Sequence, residues 1–241
     1  PPPCPVVSLA KGIEPQTDRR VSELVWDEWK IERFAVISGP SFASGVAKGQ
    51  PTAVVAACAN DDFGREVQAA FHRPVFRVYR STDVAGVELG GALKNVFAIA
   101  AGISAGLGFG DNTLAALISR GLAEMVRLGT ALGGRMETFM GLSGVGDLML
   151  TCYGPESRNR RLGEALGRGL SRDAALASLG GIAEGYTTVA AVRELAQRLG
   201  LPAPLTEQVH AVLYEDKPPH DALQALLTRE PGIEHPSGPP A

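Results

Sequence analysis

Hydrophobic residues follow two successive patterns along the chain. Up to about residue 80, short apolar runs bounded by Gly, Pro or Asp predict strands at 5–10 (PVVSLA), 34–38 (FAVIS), 53–58 (AVVAAC) and 75–80 (VFRVYR). Between them, residues 18–29 and 61–71 carry apolar side chains at helical spacing. This alternation predicts an α/β sheet in the first part of the chain.

Beyond Ser81 the pattern is helical. Asp83 is expected to cap a first long helix, and Asp111 or Asn112 a second helix that ends at the glycine pair 133–134. Further helices are predicted at 156–168, 171–178, 184–199, 205–214 and 219–228. The chain therefore divides, by prediction, into a sheet domain at 1–82, an all-helical domain at 83–230 and a disordered Pro- and Gly-rich tail at 231–241. A cleft between two such domains is a common place for a small-molecule site.

Composition narrows the function classes. The net charge of −3 argues against an extended nucleic-acid surface, although a local basic pocket is compatible with it. The three cysteines lie far apart and the four histidines show no ligand spacing, so neither a metal site nor a disulfide framework is expected, and a reducing cytoplasm fits best. No apolar run reaches the roughly 20 residues that span a bilayer, and no signal peptide is evident.

Lys94 is the most unusual charged residue in the helical part. Its helix neighbours at three and four positions are Gly90, Gly91, Phe97 and Ala98, none of which is acidic. A lysine on a small, apolar face is expected to be buried, which disfavours the ammonium form and suits proton exchange near neutral pH. The alternative is a structural lysine that extends along a helix–helix seam.

Two short segments directly follow predicted strands. Lys11 follows the first strand, and Gly39 and Ser41 follow the second. In open α/β sheets the ligand crevice lies outside the carboxyl ends of strands, so these residues are candidates for substrate contacts. Ordinary turn chemistry would also explain them.

The densest polar cluster lies in GLSGVGDLMLTCYGPESRNRR. Gly141, Gly144 and Gly146 are expected to loosen the chain before Asp147, and Pro155 and Glu156 to open a helix with the next three residues in its first turn: Ser157, Arg158 and Asn159. A helix N-terminus with a hydroxyl and a guanidinium is a suitable phosphate site. The alternative is a solvated, Arg-rich helix face. Glu184 lies at the predicted start of another helix. The sequence leaves two roles for it, a helix cap or a contact with a ligand.

These motifs together resemble bacterial NAD(P)-dependent glycerol-3-phosphate dehydrogenases. The resemblance covers about residues 6–227 and rests on KGIE, SGPSFA, ELGGALKN, GDN, RGLAEM, GDLMLTC, SRNRR and AEG, in that order. It implies the C-terminal part of a Rossmann domain followed by an all-helical substrate domain of the 6-phosphogluconate dehydrogenase C-terminal type. The implied reaction interconverts sn-glycerol 3-phosphate and dihydroxyacetone phosphate with NAD or NADP, and it supplies phospholipid synthesis.

The resemblance also implies roles for individual residues. Lys94 would exchange the proton of the C2 hydroxyl. Substrate contacts would come from Lys11, Gly39, Ser41, Lys94, Asp147, Ser157, Arg158 and Asn159, and cofactor contacts from Lys11, Ala43, Arg158, Ile182 and Glu184. No metal, nucleic acid or membrane span is implied, and a homodimer is left open.

One motif of the resembled family is missing from the sequence. No GxGxxG follows a predicted strand, so roughly the first half of the Rossmann domain is expected to be absent. If the sequence is the whole polypeptide, weak or no cofactor binding is expected; if it is a fragment, the implied function is that of the parent protein. The alternatives are therefore a truncated, inactive helical interaction domain and a related dehydrogenase acting on another hydroxy acid or sugar-acid phosphate.

Overall fold

A computed structural model describes residues 4–230 and Glu234. Its strands are β1 (Val6–Ser8), β2 (Phe34–Ser38), β3 (Thr52–Ala57) and β4 (Phe76–Ser81). Its helices are α1 (Val21–Trp29), α2 (Ala43–Ala47), α3 (Asp61–Phe71), α4 (Val84–Gly106), α5 (Asp111–Ala131), α6 (Met136–Phe139), α7 (Asp147–Tyr153), α8 (Arg158–Gly167), α9 (Arg172–Ala177), α10 (Glu184–Arg198), α11 (Pro204–Tyr214) and α12 (Pro219–Leu227). A π-helical turn (Leu142–Gly146), called the π-turn below, runs directly into α7.

The strands form one mixed sheet in the order β1-β2-β3-β4, in which β1 and β2 are parallel, β2 and β3 antiparallel, and β3 and β4 parallel. One face is covered by α3, whose Phe63 and Val67 pack against Ile37 of β2. The other face is covered by α1 and the start of α4, where Val25 and Val87 pack against β2. The predicted α/β fold class with a helical second part is therefore confirmed.

Helix α4 is the centre of the helical part. It is long and apolar enough to cross a membrane by length and composition, but 89% of its most apolar window is buried. Its closest neighbour is α8, where a Cβ atom on Gly163 would lie 2.0 Å from the carbonyl oxygen of Ile99. The two backbones can approach this closely only because the seam carries glycine, and the approach brings the start of α8 to the middle of α4.

The helix ends agree with the sequence prediction in two places and differ from it in one. Asp83 caps α4 as predicted, since its carboxylate accepts a hydrogen bond of 2.9 Å from the Gly86 N–H. The N-cap of α5 is Gly110, which is neither of the predicted residues, and no side chain caps that helix. The expected turn at the end of α5 is present, because Gly133 has a φ of 90°.

The segment before Asp147 was predicted wrongly. Its glycines do not loosen the chain, because residues 142–153 form the π-turn and α7 without a break. Gly144 is needed for packing instead, since a Cβ atom there would lie 2.0 Å from the carbonyl oxygen of Phe139. The short helices α2 and α6 were not predicted either.

Three further predictions concern the start of α8, the C-terminal tail and the domain boundary. Helix α8 begins at Arg158, so Pro155 and Glu156 precede it and Ser157 is its N-cap. The predicted tail, 231–241, lies outside the described residues except for Glu234, whose carboxylate contacts Arg120. The change from sheet to helices falls between Ser81 and Val84, and the domain limits themselves stay a prediction.

Candidate active site

A cleft of about 170 Å³ opens where the loops after β1 and β2 meet the helical part. Among the predicted site residues, all but Gly39 and Ala43 line it: Lys11, Ser41, Lys94, Asp147, Ser157, Arg158, Asn159, Ile182 and Glu184. These residues are spread over more than 170 positions of the sequence. The fold therefore collects separate motifs into one polar cavity.

Lys94 is buried at the wall of this cleft and has an acidic partner from another helix. Its Nζ atom lies 2.5 Å from Oδ1 of Asp147 and 2.8 Å from Oγ1 of Thr151. The hydroxyl of Thr151 in turn donates to the backbone carbonyl of Asp147 at 2.6 Å. Asp147 and Thr151 are one helical turn apart on α7, so both face α4 and fix the position of the amine.

A second lysine shares the same carboxylate. Nζ of Lys11 lies 2.7 Å from Oδ2 of Asp147. Gly91 makes room for this side chain, since a Cβ atom there would lie 3.3 Å from Cγ of Lys11. Gly90 similarly admits the π-turn, because its Cβ atom would lie 2.6 Å from the carbonyl oxygen of Ser143. The small residues beside Lys94 thus allow other elements to approach α4 closely.

Burial lowers the pKa of Lys94 from its ordinary 10.5 to about 8. Removal of the ammonium group from water is the main cause, and the positive charge of Lys11 acts in the same direction. The negative charge of Asp147 opposes this shift and keeps the pKa from falling further. An amine with a pKa near 8 can both accept and release a proton close to neutral pH.

The start of α8 supplies the cationic rim of the cleft. The Ser157 hydroxyl accepts a hydrogen bond from the Arg160 N–H at 3.2 Å, which leaves its own O–H free to donate. Arg158 is exposed, and among the described residues no carboxylate lies within 4.0 Å of its guanidinium. A cation without a partner at the mouth of a cleft is available to an anionic ligand.

A chain of amides joins three helices behind the cleft. Nδ2 of Asn159 donates to Oδ1 of Asn95 at 2.9 Å, and the Gly185 N–H donates to Oδ1 of Asn159 at the same distance. Nδ2 of Asn95 lies 3.3 Å from Oε2 of Glu184. Asn159 therefore has one amide N–H left for a ligand, and the amide chain orients Glu184.

Gly39 and Ala43 do not line the cleft. Gly39 shapes the loop after β2, because its carbonyl accepts a hydrogen bond of 3.1 Å from the Ser41 hydroxyl. Ala43 is exposed at the start of α2, next to Phe42, which does line the cleft. Their assigned contacts, with substrate for Gly39 and with cofactor for Ala43, stay predictions.

Four lining residues were not assigned a role from the sequence: Phe42, Asn95, Thr151 and Glu156. Asn95 could have been found as the residue after Lys94, and Thr151 from its spacing of four from Asp147 on one helix. Glu156 accepts a hydrogen bond of 2.5 Å from the hydroxyl of Ser44, a contact across 112 positions that no local pattern signals.

The sequence models of one family match most of the chain. The model described as the NAD-dependent glycerol-3-phosphate dehydrogenase N-terminus matches residues 1–64, and the corresponding C-terminus model matches residues 83–224. The chain belongs to this family of dehydrogenases. The predicted resemblance is therefore confirmed.

Individual relatives agree with this assignment. The chain is 57% identical to a glycerol-3-phosphate dehydrogenase [NAD(P)+] of Nitratidesulfovibrio vulgaris over 93% of its own length and 69% of the relative's. It is 50% identical to a protein of the same name from Moorella thermoacetica, over 97% and 69%. The crystal structure of a glycerol-3-phosphate dehydrogenase from Coxiella burnetii superimposes with a TM-score of 0.91 at 46% identity, over 93% of this chain and 69% of that one.

The family implies a nicotinamide dinucleotide, and the cleft fits part of such a molecule. The guanidinium of Arg158, which has no carboxylate partner among the described residues, suits a pyrophosphate or a phosphate. Ile182 lines the same cleft and leaves 75% of its surface exposed, an unusual exposure for isoleucine that a bound ring would reduce. Within the described residues, no cluster of His, Cys, Asp and Glu that could hold a metal ion occurs.

Proposed function

We propose that this dehydrogenase interconverts sn-glycerol 3-phosphate and dihydroxyacetone phosphate in the cleft around Lys94. The observation that carries the proposal is the placement of Lys94. It is a buried amine with a pKa of about 8, and it lies in the same small cleft as the free cation of Arg158. Oxidation of a small phosphorylated polyol needs both a proton-transfer group and an anion site, and the two must lie in the same small cleft.

Lys94 is the residue that moves the proton. During oxidation of glycerol 3-phosphate, the neutral amine removes the proton of the C2 hydroxyl while a hydride leaves C2. In the reverse direction, the ammonium donates this proton to the carbonyl oxygen as a hydride reaches the carbon. Bound NAD or NADP supplies the hydride acceptor or donor.

Asp147 and Thr151 position the amine and do not exchange protons with the substrate. Thr151 accepts from Lys94 and donates to the Asp147 carbonyl, so it holds the amine in one orientation in both protonation states. Asp147 stabilises the ammonium form and also holds Lys11 beside it. A pre-positioned amine lowers the entropic cost of reaching the transition state.

Lys11, Arg158 and Ser157 hold the charged end of the substrate. Lys11 and Arg158 add two positive charges to the cleft, and the Ser157 hydroxyl adds a donor at the N-terminus of α8. These groups favour a phosphorylated substrate over the free polyol, because a phosphate monoester carries close to two negative charges at neutral pH. Asn95 and Asn159 support this arrangement from behind.

Cellular setting and assembly are part of the same proposal. Cys58 and Cys152 are buried free thiols and Cys4 is an exposed one, which supports work in the reducing cytoplasm. The product, glycerol 3-phosphate, would serve phospholipid synthesis. A homodimer stays a prediction, and sedimentation velocity of the purified protein tests it.

The proposal is tested by replacing the amine of Lys94 with an uncharged side chain of similar size. Lys94→Met should lower kcat for the NAD(P)H-dependent reduction of dihydroxyacetone phosphate by about 10²- to 10⁴-fold, the usual contribution of a general acid or base. Lys48→Met, on an exposed residue outside the cleft, is the matched control and should leave kcat unchanged. A Lys94→Met enzyme with the kcat of the wild type would overturn the proposal.

A further inference from the structure

A second polar groove of about 550 Å³ lies outside the active-site cleft, between the end of β4, helix α6 and the π-turn. None of its lining residues lines the active-site cleft. Its polar walls are formed by Arg80, Ser81, Arg135, Glu137, Thr138 and Ser143. We call it the π-turn groove. Neither the proposed reaction nor the sequence motifs assign it a role.

Two arginines among the lining residues give the groove its positive charge. Arg135 is exposed, and among the described residues its guanidinium has neither an ion-pair nor a hydrogen-bond partner; only its backbone N–H is engaged, with Asp83. Arg80 contacts Asp61 through one of its terminal nitrogens. Since a guanidinium has five N–H donors, most of those on Arg80 and all of those on Arg135 are available.

Ser143 adds a buried donor that has no partner. This residue is 1% exposed, and its hydroxyl makes no hydrogen bond within the described part of the chain. Buried polar groups are nearly always satisfied, so the orphan hydroxyl of this lining residue is a donor that a ligand in the groove can engage once the side chain turns toward it. Its backbone carbonyl packs closely on Gly90, which keeps the residue in place.

The charges on the groove's walls favour an anion. Arg80 and Arg135 supply two positive charges, and Glu137 is the carboxylate on the described walls that opposes them. Ser81 already accepts a hydrogen bond from the Asp83 N–H at 3.0 Å, so its O–H remains a donor. Two guanidinium groups and hydroxyl donors in one groove match the several acceptor oxygens of a phosphate group.

We propose that the π-turn groove is a second anion site, which binds a small phosphate-bearing molecule through Arg80, Arg135 and Ser143. The bound molecule lies against the segment that ends at Gly146 and continues directly into Asp147, the partner of Lys94. The site is therefore placed to report a phosphorylated metabolite to the catalytic amine. Binding itself does not depend on the proposed function.

Isothermal titration with inorganic phosphate tests the site, at constant ionic strength set with sodium chloride. The Arg158→Ala protein is used so that the active-site cleft, which keeps Lys11 and Ser157, contributes less to the binding. Phosphate should bind saturably, Arg135→Gln should weaken the affinity about tenfold or more, and Glu137→Gln should strengthen it about two- to fivefold. Arg65→Gln, on an exposed arginine of α3, is the matched control and should change nothing.

Three results would overturn the proposal: no saturable binding in the Arg158→Ala protein, unchanged affinity after Arg135→Gln, or weaker binding after Glu137→Gln. Failure of the proposed function has a different signature. It would show as an unchanged kcat in Lys94→Met, whose residue does not line the π-turn groove, while the phosphate titrations of that groove stay as expected.

Ser143→Ala gives a measurement that does not depend on the arginines. Removing an unpartnered buried hydroxyl should leave the Tm of the phosphate-free protein unchanged or raised, since the cost of the unsatisfied group disappears. The rise in Tm that phosphate produces should become smaller. A phosphate-induced rise equal to that of the wild type would contradict the assignment of Ser143 to the site.

Discussion

The Nζ atom of Lys94 lies 2.5 Å from Oδ1 of Asp147, and the other oxygen of that carboxylate is bound by Lys11. Two ammonium groups thus share one negative charge inside a buried site. The sharing has opposite effects on Lys94, because Asp147 raises its pKa while Lys11 lowers it. The catalytic amine can therefore be tuned in both directions by changing residues that are not themselves proton donors to the substrate.

Asp147→Asn should shift the pH dependence of glycerol 3-phosphate oxidation to lower pH. Oxidation needs the neutral amine, so its rate rises with pH through the pKa of Lys94. Loss of the carboxylate charge removes the effect that raises this pKa, and the rising limb should move below its wild-type position near pH 8. The measurement is kcat/KM against pH. A limb displaced upward would contradict the assignment.

Lys11→Met should have the opposite effect on the same limb. Without the second positive charge, the Lys94 ammonium is easier to keep, so its pKa rises and the limb moves to higher pH. KM for the phosphorylated substrate should also increase, since the cleft loses a cation. Lys48→Met controls for the loss of one positive charge from the protein as a whole. If the rising limb lies at the same pH in the Lys11→Met and wild-type enzymes, the charge of Lys11 does not affect the pKa of Lys94.

Gly39→Ala should destabilise the protein more than an ordinary turn glycine does. Gly39 has a φ of 145°, and an added Cβ atom would lie 3.0 Å from the backbone of Val54. Gly49 has a φ of 70° with no atom within 4 Å of its added Cβ, so Gly49→Ala gives the cost of an ordinary left-handed position that has no close contact. We expect losses of about 3 kcal/mol and about 1 kcal/mol, respectively, in urea unfolding. Equal losses would show that contact with β3 is unimportant.

The sequence predicted the periodic elements of the fold well. Strand β2 and helix α3 have their predicted bounds, because each combines an uninterrupted apolar pattern with clear boundary residues. The π-turn and α7 were missed since glycines at three positions look like loop residues in isolation. Gly144 is required for a close approach to the backbone of Phe139, which apolar periodicity does not signal.

The site was predictable as a set of residues and not as a network. Lys94 stood out because its own helix offers it no acidic partner. That its partner is Asp147, 53 positions away, depends on how α7 packs on α4, and local spacing carries no record of that contact. The amide chain from Asn95 through Asn159 was invisible for the same reason.

The ionisation of Lys94 in the free protein decides whether this residue can act as the catalytic amine near neutral pH. An NMR titration of the lysine side chains, with the Lys94 resonance assigned by its loss in Lys94→Arg, reports this pKa without any cofactor. We expect a midpoint near pH 8, since burial outweighs the attraction of Asp147. A midpoint at the ordinary lysine value of 10.5 would contradict it.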